Sequence, residues 1–132
     1  MRNLLLAVLV AVAVQVPIMA IAWSRPAATC DAATGSHHVA LVVEHGDGST
    51  VTRCIAFSGS SLTGEQVLIA SGVKYVTMDF GGLSNAICWI DGEPAEIPSG
   101  CWTSNSPFWE IFVARKGGSW ASSNLGVSAL VF

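Results

Sequence analysis

A nearly charge-free apolar run from Leu4 to Ala22, preceded only by Met1, Arg2 and Asn3, constrains this chain more than any other feature. One basic residue, an apolar run and then Ala20-Ile21-Ala22 is the order of parts in a secretory signal peptide. The run is long enough to offer a rival, an uncleaved N-terminal anchor, because about 20 apolar residues suffice to span a bilayer. Gln15 and Pro17 interrupt its second half and leave Leu4 to Val14 as a compact signal core, which favours cleavage. Under both readings the remainder is expected outside the cytoplasm, secreted or held at a membrane by residues 1–22.

The compartment decides what Cys30, Cys54, Cys88 and Cys101 do. In an oxidising environment, four cysteines in a small domain are expected to form two disulfides rather than a metal or redox centre. Three pairings exist. If Cys30 lies beside the first hairpin, Cys30–Cys54 with Cys88–Cys101 is the local solution. Cys54–Cys88 is its main rival, since both cysteines fall on expected strands.

Beyond the leader the chain has room for one domain, which can bury a core but is only marginally stable without cross-links. Arg53, Lys74, Arg115 and Lys116, with Arg25 if cleavage is early, face nine acidic residues there. This mild acidity with no basic stripe disfavours nucleic acid, which needs phosphate neutralisation, and equally an electrostatic hold on anionic lipid. Residues 23–38 hold Pro26 and small residues without periodicity and are expected to be a short tether. The domain proper is expected over residues 39–132.

Within it, Val39 to His45 and Thr50 to Phe57 flank Gly46-Asp47-Gly48-Ser49, the composition of a hairpin turn. Period two puts Val51, Arg53, Ile55 and Phe57 on one face of the second strand and Thr52, Cys54 and Ala56 on the other. Thr63 with Gln66 three residues later forms a capping box, Leu62 and Val67 a staple, and Gly72 a C-terminal cap. This predicts a single helix over Thr63 to Ser71. Strands are expected over Val73 to Phe80, Asn85 to Ile90, Phe108 to Ala114 and Val127 to Phe132, with an irregular loop over Glu93 to Asn105. The order is α+β, one helix packed on one face of a sheet.

The stretch Phe108-Trp109-Glu110-Ile111-Phe112-Val113 sorts Trp109, Ile111 and Val113 to a core face. Phe108, Glu110 and Phe112 share the opposite face, either a ligand platform or a surface covered by the loop over 93–105. Trp102 and Trp120 lie in loops, where a large amphipathic ring serves as an anchor for a ligand or as packing over a sheet edge. His37, His38 and His45, near Asp31, Glu44 and Asp47, match no closed zinc pattern. No Gly-x-Ser-x-Gly elbow occurs, and oxidised cysteines are not nucleophiles. The spacing of Glu93, Glu96 and Glu110 announces no acid–base pair, so no enzyme and no metal are expected.

Three pieces in order, Cys88-Trp89-Ile90-Asp91-Gly92, then Phe108-Trp109-Glu110-Ile111-Phe112, then Ser123-Asn124-Leu125-Gly126-Val127, carry a resemblance. Over roughly Val39 to Phe132 the chain resembles the C-terminal domain of transcobalamin and intrinsic factor and related secreted bacterial domains. The resemblance implies a β-grasp-like mixed sheet of the soluble-ligand-binding type, with cobalamin or another corrinoid as ligand. Two departures limit it: the large helical domain that completes the corrinoid clamp is missing, and the additional aromatic strand usual after the last one is not present. That leaves a truncation at Phe132 or a sheet without one edge. Asp-x-His-x-x-Gly is absent too, so cobalt ligation by histidine is not expected. The expected function is a non-enzymatic module that binds a soluble ligand through Trp102, Phe108, Glu110, Phe112 and Trp120. The alternative is a module that docks an exported protein partner.

Overall fold

Alternating apolar residues around a Gly/Asp turn build the first hairpin. The structure, a computed structural model, describes Cys30, residues 37–97 and residues 99–132. The expected signal or anchor lies outside the described residues, as does all of the tether except Cys30, His37 and His38. Strand β1 (His37–Glu44) pairs antiparallel with β2 (Thr50–Phe57), with Glu44 opposite Thr50 and His37 opposite Phe57. The first strand thus begins two residues before the expected Val39, because ladder pairing reaches back to His37. Asp47 accepts the Ser49 amide at 2.8 Å, an Asx turn, and Gly48 takes a positive φ of 84° that suits glycine.

Helix α1 (Gly64–Ser71) follows with its signals realised. The Thr63 hydroxyl accepts the Gln66 amide at 3.2 Å, and the Gln66 side chain accepts the Thr63 amide at 2.8 Å. Each bond satisfies an amide that a helix start leaves without a partner. Gly72 closes the helix in the left-handed region at φ 70°. Val67 and Leu68 are buried where α1 meets β1 and β2, while Ile69 is exposed.

Strand β3 (Tyr75–Asp79) pairs antiparallel with β4 (Asn85–Ile90) across a bulge at Val76/Thr77. A 3-10 turn over Gly81–Leu83 joins them. Strands β5 (Phe112–Val113) and β6 (Ala121–Ser122) form a third antiparallel pair. The molecule is therefore a small α and β protein, but its described strands form three two-stranded antiparallel sheets rather than one mixed sheet. Such hairpins are marginal alone and need packing against something else. The shared core does this: Val43, Leu68, Val73, Ile87, Ile90 and Val127 are buried together, with Leu41, Val51, Tyr75, Trp109 and Ile111 packed against them.

Two expected strands fall short. Of Phe108 to Ala114 only Phe112–Val113 pairs, since Ile111 spends its carbonyl on the Ser123 amide and Trp109 is held by its side chain instead of a ladder. Val127 to Phe132 is not a strand either. The Ala129 amide turns back to the Gly126 carbonyl at 3.1 Å, and only Val131 bridges, to Thr63. This tail ties separate elements together: Val127 N–H bonds the Asn85 carbonyl, Gly64 N–H bonds Leu130, and Leu62 exchanges two bonds with Phe132.

Cys30 is bonded to Cys54 and Cys88 to Cys101, with no free cysteine among the described residues. The Cys54 bridge lies on the exposed face of the first hairpin, opposite Ile55 and its core neighbours. Cys88 and Cys101 are 4% and 2% exposed, so this bridge is part of the interior. Two disulfides fit an extracellular or otherwise oxidising environment.

Candidate functional site

The segment over residues 108–113 keeps its period-two sorting although most of it forms no ladder. Phe108, Glu110 and Phe112 are exposed, whereas Trp109, Ile111 and Val113 are half-buried. Trp109 and Ile111 pack on the core, and that contact replaces pairing as the force that sets the alternation. Phe108 is 71% exposed and Phe112 49%, a large apolar area to leave in water. Phe112 stands opposite Ser122, so the two share a face. The Ser122 hydroxyl donates to Glu110 Oε1 at 2.8 Å and fixes that carboxylate beside Phe112. Trp120, two residues before Ser122 and exposed, extends the same hairpin.

Trp102 is placed elsewhere. Its ring meets Phe80 edge-on, with centroids 5.1 Å apart and planes at 80°, and no ring contact joins it to Phe108, Phe112 or Trp120. Phe80 itself is exposed, next to the exposed Met78 and Leu83 of the β3–β4 hairpin. The expected five-residue site is therefore two apolar surfaces: Phe108, Glu110, Phe112 and Trp120 on one hairpin, and Trp102 with Phe80 on another.

A second arrangement joins residues far apart in sequence. Where β1 ends, His45 Nδ1 lies 2.8 Å from Glu93 Oε2, and His45 Nε2 lies 3.3 Å from Asp91 Oδ2. The Gly46 amide donates to both Glu93 carboxylate oxygens, at 3.3 and 3.2 Å. Trp109 closes the group: its indole N–H donates to the Glu93 carbonyl at 3.2 Å, and its ring stands edge-on to His45 at 5.8 Å. His45, Asp91 and Glu93 border a shallow open depression of about 570 Å³, lined also by Asp47, Ser49 and Ala95. The His45 imidazole is held above its usual pKa of 6.5, chiefly by the Glu93 hydrogen bond, against partial desolvation and with Asp91 adding to the rise. Asp47 is held below the usual carboxylate value by its bonds to Ser49.

The sequence set His45 beside Glu44 and Asp47 and left Glu93 in an irregular loop. What joins them is that two turns, over residues 45–49 and 91–93, meet at one end of the core. The Gly/Asp content of both turns was readable; their adjacency was not. His37 of β1 packs against Phe57 of β2, with centroids 5.3 Å apart and planes tilted by 34°. Among the described residues no group of three His, Cys, Asp or Glu side chains is disposed to hold a metal ion. Comparison with family models, with curated proteins and with solved structures returns no significant match.

Proposed function

We propose that this chain is an exported, non-enzymatic binding module that holds a soluble ligand against the face built by Phe108, Glu110, Phe112 and Trp120. The observation that carries this reading is the exposure of Phe108 and Phe112 on either side of a carboxylate fixed by Ser122. A planar or apolar ligand gains area from the aromatic rings, and the free oxygen of Glu110 accepts a hydrogen bond from a ligand amide. The resemblance to the transcobalamin C-terminal domain makes a corrinoid the first ligand to test. It also makes the β-grasp the proposed fold type, supported by a hairpin followed by a helix that packs back on it, while the described strands pair as three separate two-stranded sheets that a β-grasp would join into one.

Titrating the full chain with cobalamin, followed by absorbance, tests this. The expected affinity is on the order of micromolar or weaker, because a single open face buries little area against the entropy of association. Phe112→Ala should weaken it without unfolding the protein. A flat titration to about 1 mM cobalamin, where a Kd of that order would show, removes the corrinoid.

A second reading, docking of an exported protein partner, draws on a separate observation. Val76, Met78, Phe80 and Leu83 are 41–55% exposed along the β3–β4 hairpin, a second apolar surface that a small ligand on the first would not cover.

A further inference from the structure

We propose that His45, Asp91 and Glu93 form a proton-operated latch that clamps the β1–β2 turn to the turn after β4 when the imidazole is charged and releases it when the proton leaves. Both ring nitrogens of His45 face carboxylate oxygens, one of Glu93 and one of Asp91. Ionised carboxylates only accept, and a neutral imidazole carries one N–H, so both contacts are hydrogen bonds only in the imidazolium form. Loss of the proton turns one of them into a lone pair facing a carboxylate, which is repulsive.

The surroundings favour the charged form without locking it. Groups facing the ring are Glu93 and Asp91 from the turn after β4, Asp47 from its own turn, and the uncharged Trp109. Neither Lys nor Arg lines the depression. The His45 side chain is 12% exposed, buried enough to feel its partners, while the Asp91 and Glu93 side chains are 40% and 39% exposed and stay in contact with water. The raised imidazole pKa agrees with this geometry.

The latch has a mechanical link. Glu93 holds the His45 ring and the Gly46 amide through its carboxylate, and the indole of Trp109 through a carbonyl that also accepts the Ile90 amide. Trp109 lies between Phe108 and Glu110, so release of the turn reaches the segment that bears the exposed aromatic face. The latch itself stands whether or not that face binds a ligand.

Proton NMR of the full chain with histidine labelled in the ring gives the His45 titration, assigned by its loss in His45→Gln. Amide hydrogen exchange reports Gly46. His45 is expected to titrate above 6.5, and Gly46 protection to fall about three- to tenfold across the same midpoint, the scale of one hydrogen bond. Glu93→Gln should lower the midpoint. Gly46→Ala is the second variant: its Cβ would meet Glu93 Oε1 at 2.9 Å, so it displaces the carboxylate with every charge still present, and it too should lower the midpoint. A His45 midpoint at or below 6.5, a midpoint indifferent to Glu93→Gln, or Gly46 protection that stays flat through the titration overturns the latch.

Discussion

Single side chains carry the sharpest consequences. Trp109 and Phe112 are three residues apart, yet their exposure assigns them opposite roles. Phe112→Ala removes a ring that is 49% in water and should change the urea midpoint little. Trp109→Ala removes a ring packed on the core, the indole bond to Glu93 and the edge contact with His45, and should cost about 3 kcal/mol in the same measurement. His45 makes stability depend on pH with a definite sign. A histidine whose folded pKa is raised stabilises fully below its unfolded value of 6.5 and loses that contribution as pH climbs through the folded value. The wild-type urea midpoint should therefore fall as pH rises above 6.5 and through the raised folded value, and His45→Gln should flatten that fall. With both carboxylates partly exposed, high salt should shrink the difference.

At the scale of elements, α1 is specified locally and anchored remotely. Thr63→Ala should cost about 1 kcal/mol by unmaking the capping box, measured by chemical denaturation. Gly64→Ala tests the remote anchor. A Cβ there would stand 2.7 Å from the Val127 carbonyl, a backbone atom that the tail holds in place, so the substitution should cost about 1–3 kcal/mol although alanine favours helices. Gly72→Val should be worse than alanine at an ordinary helix end, because a β-branched residue resists φ 70°. The strand expected over Phe108 to Ala114 shows the other side of the same rule. Its alternation survives because Trp109 and Ile111 are drawn to the core, while its ladder does not, because its hydrogen bonds go to side chains and to Ser123.

The described residues form three hairpins and a helix around one small core, cross-linked twice. Replacing Cys88 and Cys101 together by alanine should cost about 3 kcal/mol from the opened loop alone, and more from the space left in the interior. Removing the Cys30–Cys54 bridge, whose Cys54 is exposed and Cys30 half-buried, should cost a comparable loop entropy with less of that second part, so the Cys88–Cys101 variant should melt lower in calorimetry. What residues 39–72 do was legible from residues alone: alternation, a Gly/Asp turn, and a capping box at Thr63 and Gln66 closed by Gly72 all act within a few positions. The sorting of Phe108 to Val113 was legible for the same reason, since period two needs only one buried face. Three things were not. Division into separate hairpins depends on where hydrogen bonds of β4, the tail and Ile111 go, and each goes to a residue distant in sequence or to a turn. Trp102 meets Phe80 because the adjacent Cys101 is bonded to Cys88 of β4, which ties this part of the loop to the β3–β4 hairpin. His45 meets Glu93 across 48 residues because the core brings two turns to the same end, and no local pattern records a meeting that packing alone creates.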